Sequence, residues 1–323
     1  MDITNLSNTE DSFIARLELE PDENRVHPEH CKAHKDKIPL IGRNPGEQIR
    51  IEIPTANGTI GAIYTLSRFF LDDEGRLILG NRIKDLHNCQ PSANACDAVV
   101  KGKIMLEGLD DPSEAETLGE FIEQASPNIQ NSKLIVIAPH GGEIEPWTDV
   151  EAEFVTKSLS SVGAALWMCK GFSSEGNEDA YERWHITSTE INPESFPKLK
   201  TIVGQNLKFD YSVAFHGWKQ DFICVGGNPE NQDTGLISDV RDEIKNALEE
   251  KDPNIAVNIA PCSGDFNGDD PENIVNRLGI NSVQIEQCKK ARRLHHEAIA
   301  EAVVTVLETR TNTGIHSTKI GEI

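Results

Sequence analysis

Positive charge is in short supply in this chain: 31 Lys and Arg stand against 53 Asp and Glu over 323 residues, a formal net charge of −22. A nucleic-acid groove or an anionic membrane surface is thereby excluded as the natural partner, because dense phosphate charge would be repelled. No apolar run reaches the roughly 18 residues that a membrane-spanning helix needs. The opening MDITNLSNTEDSF has neither the basic start nor the apolar stretch of a signal peptide, so the expected location is cytoplasmic. Cysteine is sparse as well. Seven are scattered at Cys31, Cys89, Cys96, Cys169, Cys224, Cys262 and Cys288, which fits reduced, mostly buried thiols better than a disulfide framework. Cys89 and Cys96 are the one pair close enough in sequence for a loop bridge or metal clip. What is present, 37% hydrophobic and 26% charged residues, is the composition of a folded protein of one large domain or two smaller ones.

Two kinds of patterning divide the chain. Residues 1–110 read as a small β-rich domain of unassigned role. EQIRIEI and TIGAIYTL alternate on either side of Ala56, Asn57 and Gly58, and FFLDDEGRLILG reads as a hairpin turning at DDEG. Asp111 and Pro112 then open a helix expected to run through Leu118, Phe121 and Ile122. Residues 111–310 alternate apolar strands with amphipathic helices, predicting an α/β domain with a mixed sheet flanked by helices. LIVIAP is the continuous apolar run of a strand buried on both faces. Thr148 and Glu151 form a capping-box pattern ahead of Phe154, Val155, Leu159 and Val162. ALWMCKGF, YSVAFHGW, DFICVGG, IAVNIAP and NSVQIEQ are predicted as further strands. Ile237, Val240, Ile244, Ala247 and Leu248 predict one helix, and Leu294, Ala298, Ala302 and Val306 another. Residues 311–323, like the first dozen, are polar and unpatterned and are expected to form a flexible tail.

The chemistry-bearing residues cluster at predicted strand ends, where open α/β sheets collect functional groups. In APHGGEIEPWT, His140 follows the buried strand directly, and Gly141 and Gly142 let the chain fold back so that Glu145 returns to it. Taken alone this is equally a solvated loop. SVAFHGW repeats the grammar at His216, which taken alone could be a satisfied core histidine. Together, two histidines and a carboxylate are the ligand set of a catalytic zinc ion with an open fourth position. Glu286 lies inside the predicted buried strand NSVQIEQ, where a carboxylate must be paired, protonated or facing a site. It is either a general base at a zinc site or the ion-pair partner of Lys289, Lys290, Arg292 or Arg293. Those cations could instead form a basic wall for an anionic substrate, with Lys289 and Arg293 as its members. Asn276 and Arg277 could clamp a substrate carboxylate, because a guanidinium offers two parallel hydrogen bonds. His185 in ERWHITS, on a probable strand, is expected to be structural. His27, His30, Cys31 and His34 are potential ligands that lack the second pair a zinc clip needs unless Cys89 or Cys96 supplies it.

The ordered motifs APHGGEIEPWT, GFSSEG, WHITS, VAFHGW, VGGN, NIVNR and VQIEQ resemble the phage-type poly-γ-glutamate hydrolases, also described as phage-related replication proteins. The resemblance covers about residues 130–310 and implies a zinc-carboxypeptidase-like fold. It implies zinc on His140, Glu145 and His216, and Glu286 as the catalytic carboxylate. The implied substrate is a carboxylate-bearing peptide or polyglutamate. Gln287, Cys288 and Lys289 depart from the Leu-Ser-Arg-like run usual after that glutamate, so the subsite beside Glu286 is expected to differ. A carboxypeptidase or a deacylase of small N-acyl amino acids is the alternative with the same chemistry. A catalytically silent binding protein is the alternative without it.

Overall fold

Alternating strands with one apolar edge can hide that edge by closing on themselves, and the front of the chain does so. In the computed structural model, which describes residues 11–20, 22–55, 58–67, 75–83, 97–127, 129–173, 180–205 and 208–318, six strands form a closed barrel. They are β1 (Ser12–Glu20), β2 (His30–Ala33), β3 (Gln48–Thr55), β4 (Gly58–Leu66), β5 (Arg76–Gly80) and β6 (Asp97–Lys101), in the order β1-β5-β2-β4-β3-β6. Closure comes from β6, which pairs antiparallel with both β1 and β3. Phe13, Ala15 and Leu17, then Ile49, Ile51 and Ile53, then Leu77 and Leu79 pack inside, the period-two inner face of a small barrel filled by side chains. The two strands expected on either side of Ala56, Asn57 and Gly58 are β3 and β4, which pair antiparallel with Thr55 opposite Gly58. Most of the predicted DDEG turn, and both Cys89 and Cys96, fall outside the described residues.

The chain divides into two compact units, residues 1–122 with 171–200, and residues 123–170 with 201–323. The segment 171–200, grouped by sequence with the α/β part, thus belongs to the barrel unit. Gln48 shows why. Its backbone N–H donates to Ser195 Oγ at 2.8 Å, its Nε2 donates to Glu190 O at 2.8 Å, and its Oε1 accepts from Asn192 N at 3.0 Å. His185 does not lie on a strand: it follows α3 (Ala180–Trp184; α1 and α2 are given below) and meets Glu29 Oε1 at 2.5 Å through Nδ1. The His27 to His34 segment is consumed locally. His30 Nε2 contacts both Glu190 oxygens at 2.8 Å, and Cys31 is sealed in the barrel core.

The second unit is built on a seven-stranded sheet in the order β12-β11-β13-β10-β8-β9-β7. Its strands are β7 (Phe121–Ala125), β8 (Leu134–Gly142), β9 (Ala164–Gly171), β10 (Phe209–Trp218), β11 (Ile223–Gly226), β12 (Ala260–Pro261) and β13 (Gly279–Cys288). β8, β10 and β13 run parallel, and β11 is antiparallel to β13, so the sheet is mixed as expected. Its helices are α2 (Thr148–Ser158), α5 (Leu236–Glu249), α6 (Pro253–Ala256), α7 (Ile274–Leu278) and α8 (Lys289–Thr318), while α1 (Pro112–Leu118) belongs to the barrel unit and α4 (Pro197–Gly204) begins in it. Leu134, Val136, Val213, Phe215, Val283 and Ile285 from the central strands pack with α2, α5 and α8 in one core.

Several local expectations are corrected. α1 stops at Gly119, whose φ of 64° ends the helix, and Phe121 and Ile122 open a strand instead. Thr148 is not a cap. Trp147 occupies that position, and Thr148 Oγ1 donates to Glu145 O at 2.9 Å. IAVNIAP is helix α6 followed by the two-residue β12, because the Asp252–Pro253 start favours a helical turn. The tail expected from residue 311 continues as α8 to Thr318. Cys224 and Cys262 are joined in a disulfide, contrary to the expectation of reduced thiols, while Cys31, Cys169 and Cys288 are buried and outside any disulfide. Nothing in the spacing of Cys224 and Cys262 marks them as partners. Among the described residues, no helix is long and apolar enough to cross a membrane.

Candidate metal centre

Parallel pairing of β8, β10 and β13 brings the carboxyl ends of three sequence-distant central strands together. His140 lies near the carboxyl end of β8, and the chain turns back so that Glu145 N–H donates to His140 O at 2.8 Å. Gly142 has φ 68°, and a Cβ on Gly141 would stand 2.6 Å from Asp149 Cβ, so this turn requires both glycines. Trp147 ends it with φ 77°, the one non-glycine residue in the left-handed region among those described. His216 and Glu286 are register partners on adjacent strands, which sets both side chains on the same face.

The three expected ligands converge. His140 Nδ1 and His216 Nδ1 are 3.2 Å apart, and Glu145 Oε2 is 3.2 Å from the first and 3.6 Å from the second. Tetrahedral zinc with bonds of about 2.0–2.1 Å holds its ligand atoms about 3.3 Å apart, so the donor set has the spacing and chemistry of a zinc site. Among the described residues this is the one group of three or more His, Cys, Asp or Glu side chains positioned to share a metal ion. All three are buried. Gly217 N–H donates to Glu145 Oε2 at 2.8 Å, orienting the carboxylate. Burial opposes the charge on Glu145, but the adjacent His140 and His216 outweigh it and hold the carboxyl well below the ordinary range.

Glu286 stands apart from these ligands electrostatically. Burial pushes its carboxyl up to about 7, Glu145 adds to the rise, and His216 and His140 oppose it. Gln284 Nε2 donates to Glu286 Oε1 at 2.9 Å, and Gln284 is fixed in turn by Asn273 Nδ2 at 2.7 Å. A carboxyl poised near neutrality beside a metal-ligand cluster can accept and return a proton at physiological pH.

The other expected substrate residues lie on α7 and α8, the helices that flank β13 in sequence. Asn276 and Arg277 lie on α7, which folds back along β13: Asn276 meets Ser282, four residues before Glu286, and Asn273, the N-cap of α7, bonds Gln284, the partner of Glu286. The amide of Asn276 bonds Gly268 O and Asp270 O at 2.7 Å each and accepts from Ser282 Oγ. Arg277 instead lines a separate cavity of about 450 Å³ with Lys208, Glu230 and Asp269. Lys289 and Arg293 are exposed on the first turns of α8. Lys290 pairs with Asp252 at 2.5 Å.

Arg292 was indistinguishable in sequence from its basic neighbours, yet it is buried. The available signal was helical phase. The inner stripe of α8 runs through Ala291, Ala298, Ile299, Ala302, Val303 and Leu307, and Arg292 falls on it, whereas Leu294, expected inside, is 51% exposed.

Residues 112–308 match the poly-gamma-glutamate hydrolase family. No curated protein matches the chain. Among solved structures, zinc-free apo YndL is 20% identical, covering 62% of this chain and 93% of its own with a TM-score of 0.42. A metallo-carboxypeptidase from Burkholderia cenocepacia is 9% identical, covering 82% and 81% with a TM-score of 0.33. By the family match, which spans more than half of its length, the chain belongs to the poly-gamma-glutamate hydrolase family and is a hydrolase of amide bonds.

Proposed function

We propose that the protein is a zinc-dependent, carboxypeptidase-like amidohydrolase that cleaves γ-linked glutamate, with His140, Glu145 and His216 as the metal ligands. The observation that carries this reading is the spacing of the three ligand atoms, 3.2, 3.2 and 3.6 Å, with Glu286 in register beside His216. Zinc held there would polarise the scissile carbonyl and activate water as a nucleophile. Glu286 takes the proton of the attacking water and returns it to the leaving nitrogen. Its displacement toward neutrality by burial suits both transfers. Gln284 holds the Glu286 carboxyl in one rotamer through its amide.

The substrate is a polyanion and the chain carries a net charge of −22, so local cations must receive it. Lys289 and Arg293, exposed just beyond the end of β13, are the residues proposed to meet substrate carboxylates. Asn276 and Arg277 have no part in this reading.

Metal analysis and a substrate panel test it together. Protein prepared without chelator is expected to hold one zinc per chain, and His140→Ala, Glu145→Ala and His216→Ala each to lose it. Zinc-loaded enzyme is expected to shorten poly-γ-glutamate. Turnover of α-peptides or N-acyl amino acids with no loss of polymer length would refute the substrate. A metal-free wild type would refute the mechanism.

A further inference from the structure

A buried guanidinium beside a metal site is costly unless it holds something in place. Arg292 is 5% exposed. Its Nη1 donates to Pro146 O at 2.9 Å, on the loop that carries Glu145. Its plane lies against the backbone of Gly217, next to His216: a Cβ there would stand 2.2 Å from Arg292 Cζ and 2.5 Å from Nε and Nη2. One side chain on the first turns of α8 therefore touches both ligand-bearing segments without touching a ligand.

The polar groups around it are incompletely satisfied. Glu151, on the first turn of α2, accepts from Gln287 Nε2 at 2.7 Å, and its Oε1 has no partner. Burial pushes the Glu151 carboxyl well above the ordinary range, Asp149 adds to this, and Gln287 and Arg292 oppose it. Arg292 Nε and Gln287 Oε1 are likewise buried without partners. Three unmatched polar atoms on three elements mark a cluster retained at a cost in stability.

We propose that Arg292 is a positioning residue for the metal centre: its guanidinium locks the Glu145 loop against the strand end that carries His216, fixing the ligand spacing before metal arrives. The proposal rests on the zinc reading above, and it concerns how the ligands are held, which that reading does not specify.

Zinc affinity, measured by competition with a chromogenic chelator, tests it alongside the melting temperature of chelated protein. Arg292→Met is expected to weaken zinc binding 10- to 100-fold, the usual cost of losing a partner that orients ligands. Arg292→Lys keeps the charge but not the planar contact, and is expected to fall between Met and wild type. Gly217→Ala forces the guanidinium away and should weaken binding to a similar degree although every ligand remains. Because Met leaves room for the new methyl group, Gly217→Ala with Arg292→Met should bind zinc no more weakly than Arg292→Met alone. Folded Arg292→Met with wild-type affinity, or additive losses in the double variant, would overturn the proposal. Should Arg292→Met fail to fold, unchanged affinity in Gly217→Ala overturns it. A wild type that binds no zinc defeats the metal reading and this proposal together, whereas normal wild-type binding with unaffected variants defeats this proposal alone.

Discussion

Glu286→Gln should stabilise the metal-free protein while disabling it, and the size of the gain follows from the site. In the unfolded chain this carboxyl titrates near its ordinary 4.5, whereas in the folded protein burial raises it to about 7. Below pH 4.5 it is neutral in both states and costs nothing. As pH rises from 4.5 to about 7, it ionises first in the unfolded chain, so the wild type loses stability through that window. At about 1.4 kcal/mol per pH unit, the loss approaches about 3 kcal/mol and levels off above pH 7. Glutamine keeps the shape and can still bond the Gln284 amide, but it does not titrate. Other groups titrate in both proteins and largely cancel in the difference. Urea denaturation of chelator-treated wild type and variant between pH 4.5 and 8.5 should therefore show the variant's advantage growing by about 3 kcal/mol, while hydrolysis by the zinc-loaded variant falls by about 10²–10⁴. A stability difference that stays flat with pH, or a loss of stability on substitution, would show that Glu286 is not a desolvated carboxyl and would remove the basis for its proton-transfer role.

Two further perturbations test the frame that holds the site. In the barrel unit Arg50, 3% exposed, makes a two-pronged contact with Glu120 at 2.7 and 2.8 Å, so Glu120→Ala should cost about 3–5 kcal/mol by stranding the guanidinium, measurable as a lowered unfolding midpoint. An unchanged midpoint would mean that Glu52, 3.2 Å from Arg50 Nε, suffices as its partner. The Cys224–Cys262 disulfide closes a loop with a sequence separation of 38, worth about 4 kcal/mol on the chain-entropy account. Cys224→Ser with Cys262→Ser should lower thermal stability accordingly but leave zinc affinity intact, since neither cysteine is a ligand. Equal stability with and without reductant in the wild type would contradict the bond.

Local patterns carried much of the site into view. His140 directly after LIVIAP and His216 at the end of SVAFHG were legible because a strand buried on both faces writes a continuous apolar run, and a polar residue at its end stands out. Glu286 was legible as a carboxylate where none should be free. The misreadings also have local causes. ERWHITS and IAVNIAP are short apolar runs whose period does not separate strand from turn or short helix. Arg292 was hidden among Lys289, Lys290 and Arg293 because the inner stripe of α8 was phased from Leu294, which is half exposed, instead of from Ala291.

By itself the sequence determined the acidic surface, the α/β character after residue 111, the β-rich front and the four polar residues that break apolar strands. Those properties depend on composition and on periodicity within about a dozen residues. The tertiary structure alone decided that β8, β10 and β13 are neighbours in parallel register, which gathers residues 140, 145, 216 and 286 at the carboxyl ends of the central strands. It also decided that the front strands close into a barrel, that residues 171–200 belong with that barrel, that Cys224 meets Cys262, and that Arg292 turns inward. The physical reason is the same in each case. An apolar pattern states which face of an element must be covered, while the choice of what covers it is made by packing between segments far apart in the chain.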